Sequence, residues 1–158
     1  MAANQGIAHV KLDFPPEDEQ EVAFEHADLV FNNVDHSDMS YEVRVFLSDL
    51  SANDKTPRRR ENGYAGRFVV FGHGGCMGES GHCDAKNSVR VSYDPIRKHP
   101  LAPQKRTVTI TESLRKLLDN RQRLETVTLV TVSKNPLRKN RALNSDLFKH
   151  DSVTLETY

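Results

Sequence analysis

Four side chains that bind soft and borderline metal ions stand close together in the segment Phe71-Gly72-His73-Gly74-Gly75-Cys76-Met77-Gly78-Glu79-Ser80-Gly81-His82-Cys83-Asp84. Both cysteines of the chain, two of its seven histidines and five of its eight glycines fall in this stretch. The spacing His73-x2-Cys76-x5-His82-Cys83 offers two imidazoles and two thiolates, a donor set that suits copper or tetrahedral zinc. Glycines let a short loop fold back on itself, which is what would bring these donors around one point. His82 and Cys83 are adjacent and project to opposite sides of an extended backbone, so a turn must intervene before both bind one ion. Two other chemistries are open to the same residues. A Cys76–Cys83 disulfide across six intervening residues would contribute roughly 2–3 kcal/mol under a chain-entropy model, whereas a metal held by folded thiolates would contribute on the order of 10 kcal/mol. The third alternative is a glycine-rich loop with free thiols.

The remaining histidines carry less. His26 reads as a core or edge histidine of a strand. His99, in the turn His99-Pro100-Leu101-Ala102-Pro103, is placed where an extended loop could return it toward the cluster. His9, His36 and His150 read as surface residues. No Gly-x-Ser-x-Gly elbow, phosphate-cradling glycine loop or His-Glu-x-x-His helix is present, so nothing in the chain has the pattern of a complete active site.

The elements that must position the cluster are read from periodicity. Val10, Leu12 and Phe14 alternate with Lys11 and Asp13, the period-two signature of a strand with one wet face. Pro15-Pro16 ends it, and Glu17 to Glu21 reads as a solvated acidic loop. A second strand is expected from about Val22 to Phe31. It needs a bulge, because Val22, Phe24 and His26 fall on one parity and Leu29 and Phe31 on the other. Tyr41 to Leu47 is the clearest strand and is expected to cross the middle of a sheet, with Phe46 on the face of the charged residues. Ser48 to Gly63 reads as an exposed connection whose run Arg58-Arg59-Arg60 is solubilising rather than ligand-binding. Arg67 to Phe71 reads as a buried strand ending at Gly72. Arg106 to Thr111 and Thr126 to Val132 are β-branched strands. Between them, Leu114, Leu117 and Leu118 mark one short helix over Thr111 to Asn120, with Thr111 as N-cap. The basic loop Lys134 to Arg141 precedes a last strand, Ser152 to Thr157.

About seven strands and one short helix, without strand-helix alternation, predict an all-β fold: an antiparallel β-sandwich or flattened barrel. The 158 residues form a single expected domain, since no repeat or linker divides them. Lysine plus arginine equal aspartate plus glutamate at 22 each, so no net field attracts nucleic acid or an anionic membrane surface. No apolar run approaches the roughly 18 residues of a spanning helix. The N-terminal residues lack the basic and apolar segments of a secretory signal, which leaves the compartment open with the cytoplasm as the default.

Three segments together resemble a known family. Tyr64-Ala65-Gly66-Arg67-Phe68-Val69-Val70-Phe71-Gly72-His73, then Arg106 to Leu118, then Glu125 to Val132, resemble the C-terminal domain of tyrosinases and polyphenol oxidases, bacterial members most closely. In that family an AG-F strand ending near a histidine precedes a T-LL helix and a V-V-LV strand, and Tyr41 to Leu47 resembles its Y-VRV strand. The likeness runs from about Val22 to Val132, and only the His/Cys segment in it is distinctive. It implies a β-sandwich that packs over a dicopper catalytic domain, in cis or in trans, shielding its entrance or assisting copper loading. The helical histidine sets that hold the two coppers of that catalytic domain are absent here, so the resemblance implies a non-catalytic accessory role, with His73, Cys76, His82 and Cys83 as a candidate copper site and zinc as the alternative. The other readings of the same residues are an interaction module with a structural zinc or disulfide loop and a small standalone metalloenzyme with an open coordination position.

Overall fold

The computed structural model describes residues 6–12, 24–73, 101–133 and 147–158. Seven strands and one helix follow in the order β1 (Ile7–Lys11), β2 (Ala27–Val34), β3 (Tyr41–Leu47), β4 (Tyr64–Val70), β5 (Gln104–Thr109), α1 (Thr111–Asp119), β6 (Thr126–Val132) and β7 (Ser152–Thr157). They form two antiparallel sheets, β1-β6-β3-β4 and β5-β2-β7. The fold is therefore an all-β sandwich, and among the described residues its two sheets do not close into a barrel.

Alternation decides which side chains meet between the sheets. Tyr41, Val43, Val45 and Leu47 of β3 face inward with Phe68 and Val70 of β4 and Val127 and Leu129 of β6, and they meet Ala27, Leu29 and Phe31 of β2 and Val108 of β5. Burial of such side chains stabilises the fold by about 1.5–3 kcal/mol each. At one end Leu114 and Leu117 of α1 close the core together with Ile110 and Leu124.

A second apolar cluster lies on the outer face of the four-stranded sheet, where Phe46, Ala52 and Val130 are buried and Ile7, Tyr64 and Val132 flank them. The Ser48–Gly63 connection covers this face, which is why Phe46 is fully buried although it sits on the polar parity of β3. The connection ends in a single 3-10 turn, Arg60–Asn62, followed by Gly63 at φ 74°, where a Cβ would stand 2.6 Å from the Leu47 carbonyl oxygen.

Several expectations are corrected. β2 begins at Ala27, and its irregularity falls between Phe31 and Val34 with Asn33 at φ 54°, later than the parity switch suggested. Among the described residues β4 is an edge strand: Phe68 and Val70 are buried, but Val69, and Phe71 just past the end of β4, face water at 38% and 75% exposure. Thr111 does not cap α1. Ile110 holds the N-cap position, and the Thr111 hydroxyl accepts from the Ala27 amide at 2.9 Å, tying the helix to β2. The three arginines pair within the chain, Arg58 with Glu42, Arg59 with Glu61 and Arg60 with Glu112, rather than only solvating a loop.

Candidate functional site: the end of the sandwich at His36 and His73

Of the four candidate ligands, only His73 lies within the described residues; Cys76, His82 and Cys83, like His99, lie outside them. His73 follows the end of β4, and the chain there is held against the β2–β3 connection. The Gly72 amide donates to Ser40 Oγ at 3.0 Å and the His73 amide to the His36 carbonyl at 3.1 Å. At Gly72 a Cβ would come within 2.0 Å of the Asp38 carbonyl oxygen, so only glycine permits this approach. The consequence is that the imidazole of His73 lies edge-to-face on that of His36, with ring centres 5.2 Å apart and planes at 67°.

The connection carrying His36 is pinned from several sides. Asp35 Oδ1 accepts from the Ser37 amide at 2.8 Å, an Asx turn that reverses the chain after β2. The Asp35 amide donates to the Lys149 carbonyl at 2.9 Å, and the Tyr41 hydroxyl donates to the Asp35 carbonyl at 2.9 Å. Burial by itself would raise the Asp35 carboxyl, but the Ser37 hydrogen bonds and the Lys149 charge outweigh it and hold it below the usual carboxylate range. Beneath the turn lies an aromatic floor. Phe148 packs against Phe31, Phe68 and Tyr41 at 5.7–6.2 Å, and His150 stacks flat on Phe148 at 4.5 Å with planes at 13°. Burial pushes the His150 pKa down, with the nearby Asp151 charge opposing it. Burial, with the Asp35 charge beside it, pushes the Tyr41 phenol well above its ordinary value, so it serves as a hydrogen-bond donor at neutral pH.

His36 departs from its expected place on the surface: it is 7% exposed. Its Nε2 lies 2.8 Å from the Ala102 carbonyl oxygen. A carbonyl only accepts, so Nε2 carries the proton and, in the neutral ring, Nδ1 carries the lone pair. That Nδ1 is buried and, among the described residues, has no hydrogen-bond partner. Nothing in the local sequence marked this residue, because Val34-Asp35-His36-Ser37-Asp38 has the composition of an exposed turn and its partner Ala102 is 66 positions away.

Among the described residues no three His, Cys, Asp or Glu side chains converge on one point, so the two imidazoles stand as a pair. His26 is exposed just before β2 and lies 5.5 Å from the Tyr158 ring, and His9 is exposed on β1 with Nδ1 3.0 Å from Thr128 Oγ1. Two open clefts of about 420 and 390 Å³ lie elsewhere, the first between the Ser48–Gly63 connection and α1, the second beside Glu25, Glu112 and Arg115. In neither does a described hydroxyl or carboxylate hydrogen-bond a histidine ring, and Arg60 between them pairs with Glu112. Comparison with protein-family models, curated proteins and solved structures gives no match.

Proposed function

We propose that this chain is a non-catalytic β-sandwich accessory domain that holds a soft metal ion at the end of β4, copper with zinc as the alternative, through His73 and the Cys76, His82 and Cys83 that follow it. Its partner on this reading is a tyrosinase-type dicopper domain, in cis or in trans, which it shields or helps to load. The observation that supports the metal is the rigid placement of His73. Its backbone is bonded to the His36 carbonyl and its neighbour Gly72 is packed against main chain, so the first donor of the His/Cys series leaves the sheet from a fixed anchor. Thiolates favour Cu(I), and imidazoles accommodate copper and zinc alike. The dicopper partner is supported by the sequence resemblance alone.

Anaerobic purification followed by titration with Cu(I), Cu(II) and zinc under chelator competition tests the metal. One equivalent is expected to bind, with loss on His73→Ala and on Cys76→Ser. Two unreactive cysteines that become reactive only after reduction would replace the metal by a disulfide. Mixing the protein with a tyrosinase catalytic domain should change that domain's activity or copper content, and no change across a concentration series would remove the accessory role. The interaction module with a structural loop is the second reading. It is favoured by the 75% exposure of Phe71 just past the end of β4, and the same thiol count separates it from the first.

A further inference from the structure

The orphaned nitrogen of His36 has a specific use. We infer that His36, through Nδ1, is itself a metal ligand beside His73, so that the site begins with a pair of imidazoles contributed by two different segments of the sandwich rather than with the His/Cys loop alone. This deepens the metal-holding reading and rests on it, but it draws only on described residues.

Three observations carry it. First, a metal-bound histidine typically donates its other ring N–H to a carbonyl or carboxylate, which fixes the tautomer and the ring orientation. His36 already has that wiring, with Nε2 donating to the Ala102 carbonyl oxygen at 2.8 Å. Second, the nitrogen left over is a lone pair in a side chain 7% exposed, and no donor among the described residues meets it. A buried acceptor of this kind is unfavourable unless something satisfies it, and a cation does so where a hydrogen-bond donor is lacking. Third, two imidazoles bound to one tetrahedral ion at roughly 2.0 Å per nitrogen have ring centres about 5 Å apart. The rings of His36 and His73 are 5.2 Å apart, the separation that such a pair of ligands would have. The ligand class that fits is a late first-row ion that accepts neutral nitrogen, zinc or copper, in preference to calcium or magnesium, which take oxygen. No electron transfer or bond cleavage is involved.

The test is a zinc titration of the 15N-labelled protein, followed through the histidine ring nitrogens and run in parallel with affinity measurements. In wild type, zinc should shift His36 Nδ1 strongly and leave Nε2 protonated. His36→Gln, whose amide can still donate to Ala102, should weaken zinc binding by roughly tenfold or more, the scale that even an outer partner of a ligand commands. An unchanged Nδ1 resonance at saturating zinc, or wild-type affinity in His36→Gln, overturns the inference; if that variant does not fold, the wild-type resonance decides alone. The double variant Cys76→Ser, Cys83→Ser separates the two readings. Retained binding with the Nδ1 shift keeps the imidazole pair and removes the thiolates from the site. Lost binding there, with His36→Gln unaffected, keeps the loop and removes His36. Wild type that takes up no zinc and no Cu(I) removes both.

Discussion

Glu42 and His36 are about equally sealed from water, at 6% and 7% exposure, yet their polar atoms are treated in opposite ways. Glu42 sits on the outer face of β3, and both its oxygens are met. Oε1 accepts from Arg44 Nε at 2.7 Å with Arg58 at 3.6 Å, and Oε2 accepts from Arg67 Nη1 at 2.7 Å. Arg44 reaches on to the Asp54 carbonyl at 2.8 Å, so the network fastens the Ser48–Gly63 connection over the sheet. His36, at the end of the sandwich, has one nitrogen satisfied and one without a partner among the described residues. A buried polar group completed by its own chain is architecture, whereas one left half-complete in a rigid setting calls for an explanation, and the one proposed above for His36 is a metal ion.

The contrast is broken most directly at Glu42. Glu42→Ala leaves the buried Arg44 guanidinium without its carboxylate and should cost about 3 kcal/mol in urea denaturation, the lower end for a buried pair because Arg58 and Arg67 reach water. A loss below about 1 kcal/mol would make this network an ordinary surface pair. The second expectation concerns pH. Burial alone would raise the Glu42 carboxyl, but hydrogen bonds from Arg44 and Arg67 and their charges prevail, so in the folded state it titrates below the usual carboxylate range. The unfolded chain therefore takes up this proton first. The stabilisation is complete above the unfolded value and is lost as pH falls toward the folded one. Between about pH 6 and about pH 3 the urea midpoint of wild type should drop more steeply than that of Glu42→Gln, and parallel curves would contradict this. The smallest effect is expected at His36. In metal-free protein His36→Leu loses the bond to Ala102 but also the unmatched lone pair, so stability should change by less than about 1 kcal/mol. A loss comparable to that of Glu42→Ala would show that His36 is a structural keystone instead.

Much of the sandwich was legible because β-branched runs and strict alternation report directly on strands: β3, β6 and β7 lie where those patterns put them, and α1 follows its leucine spacing. Errors arose where a tertiary neighbour overrides a local signal. Thr111 has the chemistry of a cap, but the Ala27 backbone claims its hydroxyl. Arg67 to Phe71 has the apolar density of a buried strand, yet no strand among the described residues pairs with β4 beyond β3, and Val69 and Phe71 stay wet. The site was legible only as a cluster of donor types. That His73 abuts His36 depends on Gly72 passing close to the Asp38 backbone, and a distance between segments leaves no trace in spacing along one of them.

The pairing pattern also bears on how the molecule assembles. His9 of β1 meets Thr128 of β6 across 119 positions, and β2 pairs along its length with β7. The four-stranded sheet waits for β6 and the three-stranded sheet for β7, so a ribosome-bound fragment ending before Ser152 would carry β2 with one flank unsealed. Search over such long loops slows the rate-limiting step, and for that interval an unpaired flank of β2 exposes the kind of strand edge through which half-built sheets associate.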